Sequence, residues 1–103
     1  MTNVQMDKIQ IKKPYDLEER TLQYTKDVIS LVGKAPKSLS NIEVAKQLVR
    51  SAGSVGANYI EANESLGKKD FVMHARIARK EAKESRYWLQ LIECNDYLQP
   101  LKD

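Results

Sequence analysis

Redox and metal chemistry have little to work with in this chain. It carries one cysteine, Cys94, and one histidine, His74, which excludes an intrachain disulfide and a zinc site built from protein ligands alone. No apolar run approaches the ~20 residues of a membrane span, and the N-terminus lacks the apolar core of a signal peptide. The expected setting is the cytoplasm. Catalytic signatures are missing as well: there is no phosphate-cradling glycine loop and no nucleophile elbow. The Glu-x-x-His pair of a di-iron bundle is absent too, since Phe71 stands three residues before His74. No catalytic residue, metal or cofactor is expected. His74 reads as a packed or hydrogen-bonded side chain and Cys94 as an unreactive thiol.

What remains is 103 residues with a net charge of +3 and a pI near 9.0. That length suits one small helical domain with a modest core, and the mild excess of cations permits an anionic partner without requiring one. Residues 1–14 mix isolated apolar side chains with Lys8, Lys12 and Lys13 and end at Pro14; they read as a flexible arm. Residues 15–103 read as a single helical bundle.

The first helix is expected over about 17–33. Asp16 stands three before Glu19 in a capping-box spacing, and Gly33 and Pro36 close the helix. A second capping box, Ser40 with Glu43, and a staple between Leu39 and Val44 open the second helix, expected over 41–66 with Gly67 as its stop. The third, about 69–94, follows within a residue or two, which forces an antiparallel hairpin. Its core line is expected to be Phe71, Ala75, Ala78, Ala82, Ser85, Leu89 and Ile92, with Ala78, Ala82 and Ser85 lying on Ala52, Gly56 and Tyr59. Glu81 falls inside this apolar arc, where a carboxylate needs water or a partner on another helix.

Two surfaces stand out. The second helix carries an apolar stripe on one face, yet its opposite face shows Arg50, Ser51, Ser54, Ala57, Asn58 and Glu61 where a solvated helix usually bears long charged side chains. Gly53 and Gly56 each cost roughly 1 kcal/mol in a helix interior, so close approach of neighbours on two sides is expected, the second neighbour being another copy. The third helix stacks Arg76, Arg79, Lys80, Lys83 and Arg86 on its outer face, with Lys68 and Lys69 at its start. Cations four apart repel by roughly 0.2–0.5 kcal/mol per pair. An anionic partner explains such a stripe better than helix stability does. It points to RNA or DNA bound by phosphate contacts; the alternative is a protein interaction scaffold whose basic face is merely solvated.

The chain from Tyr15 to Ile92 resembles the small bacterial four-helix-bundle proteins encoded by intervening sequences in large-subunit ribosomal RNA genes, a family that also includes the accessory protein of diversity-generating retroelements. The resemblance rests on Gln47-Leu48-Val49-Arg50-Ser51-Ala52, Ser54-Val55, Asn58-Tyr59-Ile60-Glu61-Ala62, Lys68-Lys69-Asp70-Phe71, Ala78-Arg79-Lys80-Glu81-Ala82-Lys83-Glu84 and Arg86-Tyr87-Trp88-Leu89, in that order. It implies an all-α, up-down antiparallel bundle, self-association into a homopentamer, and nucleic-acid binding alongside a partner such as a reverse transcriptase or a ribosomal-RNA processing protein. It carries over no catalytic residue. Two departures are visible. Asn63 stands where many members have glycine, so the second helix should run on smoothly. After Cys94 the chain is too short for the family's fourth helix and is interrupted by Pro100. That helix is expected to be shortened or missing, which would leave an apolar groove exposed.

Overall fold

The computed structural model describes residues 16–92; the arm, Cys94, Pro100 and the shortened fourth helix lie outside the described residues. Within them the chain is all-α, with helices α1 (Leu17–Lys34), α2 (Leu39–Asn63) and α3 (Lys68–Leu91) and no strand. Helix α2 packs against both others. Glu18 reaches Asn63 and Thr25 reaches Ala52, so α1 and α2 run antiparallel; Asn58 approaches His74 and Arg50 approaches Glu84, so α2 and α3 do too.

Local chemistry sets the ends, with several departures from expectation. Helix α1 outlasts Gly33 by one residue. Pro36 disfavours helical geometry at the residue before it, and Ala35 is extended at φ −75° and ψ 151°. The cap of α2 is Ser38, not Ser40: its side chain accepts the Asn41 backbone N–H at 3.2 Å. Asn41 is buried and donates through Nδ2 to the Pro36 carbonyl at 2.9 Å. That tie folds the turn two residues early, placing Ser40 and Glu43 inside the helix, and leaves Leu39 80% exposed, so the staple does not form. Helix α2 stops at Asn63, not Leu66. The expected smooth continuation fails because Ser65 Oγ caps the Glu61 carbonyl and Asn63 Nδ2 donates to Glu18 Oε2 at 2.7 Å. Gly67 then serves as the cap of α3.

The core is Val28, Leu31, Ala35, Leu48, Ala52 and Ile92, with Tyr24, Val49, Trp88 and Leu89 packed around it. Gly56 faces α1, not α3. A Cβ there would meet Thr21 Oγ1 at 3.1 Å, which is the close approach its missing side chain permits. Helix α3 keeps most of its expected core line: Ala78, Ser85 and, just past the helix, Ile92 are buried and Ala75 and Leu89 half-buried, but Phe71 and Ala82 are exposed. His74, Glu81 and Trp88 are half-buried instead, and with Ala78, Ser85 and Ile92 they step by four and three, one stripe of a helix. The polar members His74, Glu81 and Ser85 have partners on other helices. An apolar groove of about 540 Å³, lined by Val32, Ala35, Ile42, Ala45, Val49 and Ile92, opens beside the α1–α2 turn.

Candidate nucleic-acid interface

Helix α3 presents Lys68, Lys69, Arg76, Arg79, Lys80, Lys83 and Arg86 to solvent, every one exposed. Among the described residues none of them has a carboxylate within ion-pair distance. Arg76, Arg79, Lys80 and Lys83 together line a shallow depression of about 340 Å³. Lys68, Lys69 and Arg76 border a second, larger one of about 820 Å³ that also takes in Asp70, Val72, Met73 and Ile77. Arg76 is common to both, so the surface is continuous along the helix. Arg86 extends the charge one turn beyond the smaller depression but lines neither.

Lys and Arg are good helix formers, but their placement here is electrostatically unfavourable to the helix. Lys68 and Lys69 occupy the first turn of α3, the positive end of the helix dipole, where acidic side chains are the stabilising choice. Arg76 with Lys80 and Arg79 with Lys83 add like-charge repulsion. A row of long cations around a depression is instead suited to phosphate oxygens, which take charge-assisted hydrogen bonds from guanidinium and ammonium groups.

The inner side of α3 explains why the outer side stays cationic. Arg50 of α2 pairs with Glu84 and lies 3.5 Å from Glu81, and the Trp88 indole N–H donates to Glu84 at 3.2 Å. Glu84 stands four residues after Lys80, a spacing that could have neutralised it on the helix. It is held on the other face. Glu81, with 13% of its side chain exposed, has one carboxylate oxygen that is buried and accepts no hydrogen bond; the Arg50 guanidinium compensates it. The expected cross-helix partner of Glu81 is therefore present.

The residues expected to meet another copy are placed differently. Arg50, Ala57 and Glu61 are exposed, Ser54 and Asn58 are half-buried, and Ser51 is fully buried. Arg50 and Asn58 reach α3 from this stripe, with Asn58 held by two bonds to Ser54 and its Oδ1 3.4 Å from His74 Nδ1. The neighbour that Arg50 and Asn58 reach is the chain's own third helix, while Ala57 and Glu61 stay exposed. Ser51, closed inside the chain, has no surface to offer another copy. Sequence reasoning passed over Tyr87, an exposed aromatic on the same line as the basic residues; its spacing of four from Lys83 and seven from Lys80 was the available signal. Among the described residues no group of histidine, cysteine and acidic side chains could hold a metal ion, and no helix is long and apolar enough to cross a membrane.

Residues 14–102 match the 23S rRNA-intervening sequence protein family. A solved structure from Bacteroides thetaiotaomicron, a protein with unknown function from the S23 ribosomal protein family, is 32% identical and superposes with a TM-score of 0.65. The match covers 72% of this chain and 68% of that one. No curated protein matches the chain.

Proposed function

The chain belongs to the 23S rRNA-intervening sequence protein family, and on that premise we propose that it is a non-enzymatic helical protein of the cytoplasm that binds RNA or DNA through the outer face of α3. The observation that carries this is the unpaired cationic row from Lys68 to Arg86, kept unneutralised while the acidic residues Glu81 and Glu84 of the same helix are committed to Arg50. Binding of this kind reads phosphates, not base sequence. The proposal includes self-association, which is supported by apolar side chains left exposed on all three helices, among them Leu22, Ile29, Ile60 and Phe71, and action beside a nucleic-acid-processing protein.

The test is fluorescence anisotropy with labelled structured RNA, duplex DNA and a single strand. If about four phosphates are neutralised, affinity falls about 100-fold between 50 and 200 mM salt. Joint replacement of Arg76, Arg79 and Lys83 by Glu abolishes binding while leaving the melting temperature within a few degrees, because these side chains hold nothing in place. No binding of any strand by the wild type at 50 mM salt would leave the merely solvated face as the correct reading.

A further inference from the structure

We propose that Tyr87 is a stacking platform for an unpaired nucleobase, so that the basic face selects single-stranded or looped nucleic acid over continuous duplex. The inference rests on the nucleic-acid reading above and adds to it the class of ligand. Tyr87 lies on the helical line of Arg76, Lys80 and Lys83, at steps of four, three and four, so one stripe of α3 carries cations and ends in an aromatic ring. One turn, about 6 Å along the axis, separates Lys83 from Tyr87. A nucleotide whose phosphate sits on Lys83 has its base within reach of the ring.

The ring is also exposed and anchored. Tyr87 is 57% exposed, while Ser85 and, just past the helix, Ile92 are buried and Leu89 is half-buried, so the ring lies outside the core. Its centroid stands 5.1 Å from that of Trp88 at an interplanar angle of 72°, an edge-on contact. Trp88 in turn is tied through its indole N–H to Glu84, and Glu84 to Arg50 of α2. The platform is therefore fixed to the body of the protein through a second helix, which lowers the ordering cost of stacking a base on it. Bases in continuous duplex are already stacked on each other and offer no free face along their length, whereas unpaired bases do.

The experiment uses the full chain and ~12-nucleotide strands: a uridine oligomer, its deoxy counterpart, an abasic strand of equal length, and a blunt duplex. Affinity is read by anisotropy of the labelled strand, and proximity by the emission of Trp88, the one tryptophan in the chain. Base-bearing strands bind roughly tenfold more tightly than the abasic strand and quench Trp88; the abasic strand binds without quenching. Tyr87→Ala brings the ratio to about one while the affinity for the abasic strand stays, and Tyr87→Phe keeps both ratio and quenching. Circular dichroism melts show both variants folded. An unchanged ratio in Tyr87→Ala overturns the stacking role while phosphate binding stands, and a change in light-scattering mass with that unchanged ratio assigns Tyr87 to a contact between copies. No binding of any strand by the wild type overturns both readings together.

Discussion

Toward α1, helix α2 presents Leu48, Ala52 and Gly56; toward α3 it presents Arg50 and Asn58. The first seam is a matter of volume: Leu48 and Ala52 are fully buried against Val28 and Leu31, and Gly56 lets Thr21 come close. The second is a matter of matching polar atoms, Arg50 with Glu81 and Glu84, and Asn58 with His74. Both give a buried seam, but only the polar one changes the surface opposite. By drawing its two inner carboxylates toward α2, it leaves the outer face of α3 with cations alone across its middle turns. Fold and candidate interface are thus coupled through one arginine.

That coupling yields the largest expected effect on stability. Arg50→Ala leaves the buried oxygen of Glu81 without its compensating cation and frees Glu84, costing about 2 kcal/mol. For a domain of this size that corresponds to a fall of roughly 10 °C in melting temperature. It also lets Glu84 turn toward Lys80, so nucleic-acid affinity falls a few-fold more than the loss of one charge accounts for. Thermal melts and anisotropy on the same preparation read both. A melting temperature within about 2 °C of wild type would mean that the polar seam contributes nothing and the contrast between the seams is empty.

The volume seam is sharpened by two glycines of the same helix. At Gly53 an added Cβ meets nothing within 4 Å, so Gly53→Ala gains about 1 kcal/mol from helix propensity. At Gly56 the same methyl meets Thr21 Oγ1 at 3.1 Å, and that hydroxyl is held by its 2.7 Å bond to the Leu17 carbonyl. Gly56→Ala therefore destabilises by about 1 kcal/mol, the crowding outweighing the propensity gain. Urea denaturation of the pair should move in opposite directions. Equal stabilisation by both would show that close packing does not set the α1 seam.

How much of this was legible follows from which forces act locally. The three helices, the hairpin and the core residues Val28, Leu31, Leu48 and Ala52 follow from apolar period and breakers, and the cationic row needs only the helical wheel. The start of α2 was misplaced where two local signals competed: Ser40 and Glu43 have capping-box spacing, but Asn41 reaching back to the Pro36 carbonyl within the turn makes Ser38 the cap. The core line of α3 failed only at Phe71 and Ala82, which are exposed. Glu81 was legible as an inward carboxylate in need of a partner, but Arg50 was not legible as that partner, because residues 31 apart in sequence reveal no pairing to a periodicity argument. On the small-residue face of α2, Arg50 and Asn58 reach α3 and Ser51 is buried, while Ala57 and Glu61 stay exposed and the tight glycine contact, at Gly56, is with α1.

The smallest expected effect tests whether the two seams are independent. Tyr24 belongs to α1 and Ser85 to the polar side of α3, and their hydroxyl oxygens are 2.7 Å apart. Ser85 donates its one hydroxyl proton to the Ala82 carbonyl at 2.9 Å, so Tyr24 must be the donor across the pair. Ser85 is fully buried, which removes water as a substitute partner. Tyr24→Phe then leaves a buried acceptor lone pair and costs about 1 kcal/mol, and Ser85→Ala strands the tyrosine hydroxyl at a similar cost. The double replacement removes both groups together and should cost no more than either single change. A double-mutant cycle measured by urea denaturation is thus expected to give a coupling of about 1 kcal/mol. Strict additivity would separate the seams energetically. α1 and α3 would then be linked through the shared apolar core of Val28, Leu31, Leu89 and Ile92 and not through this hydrogen bond.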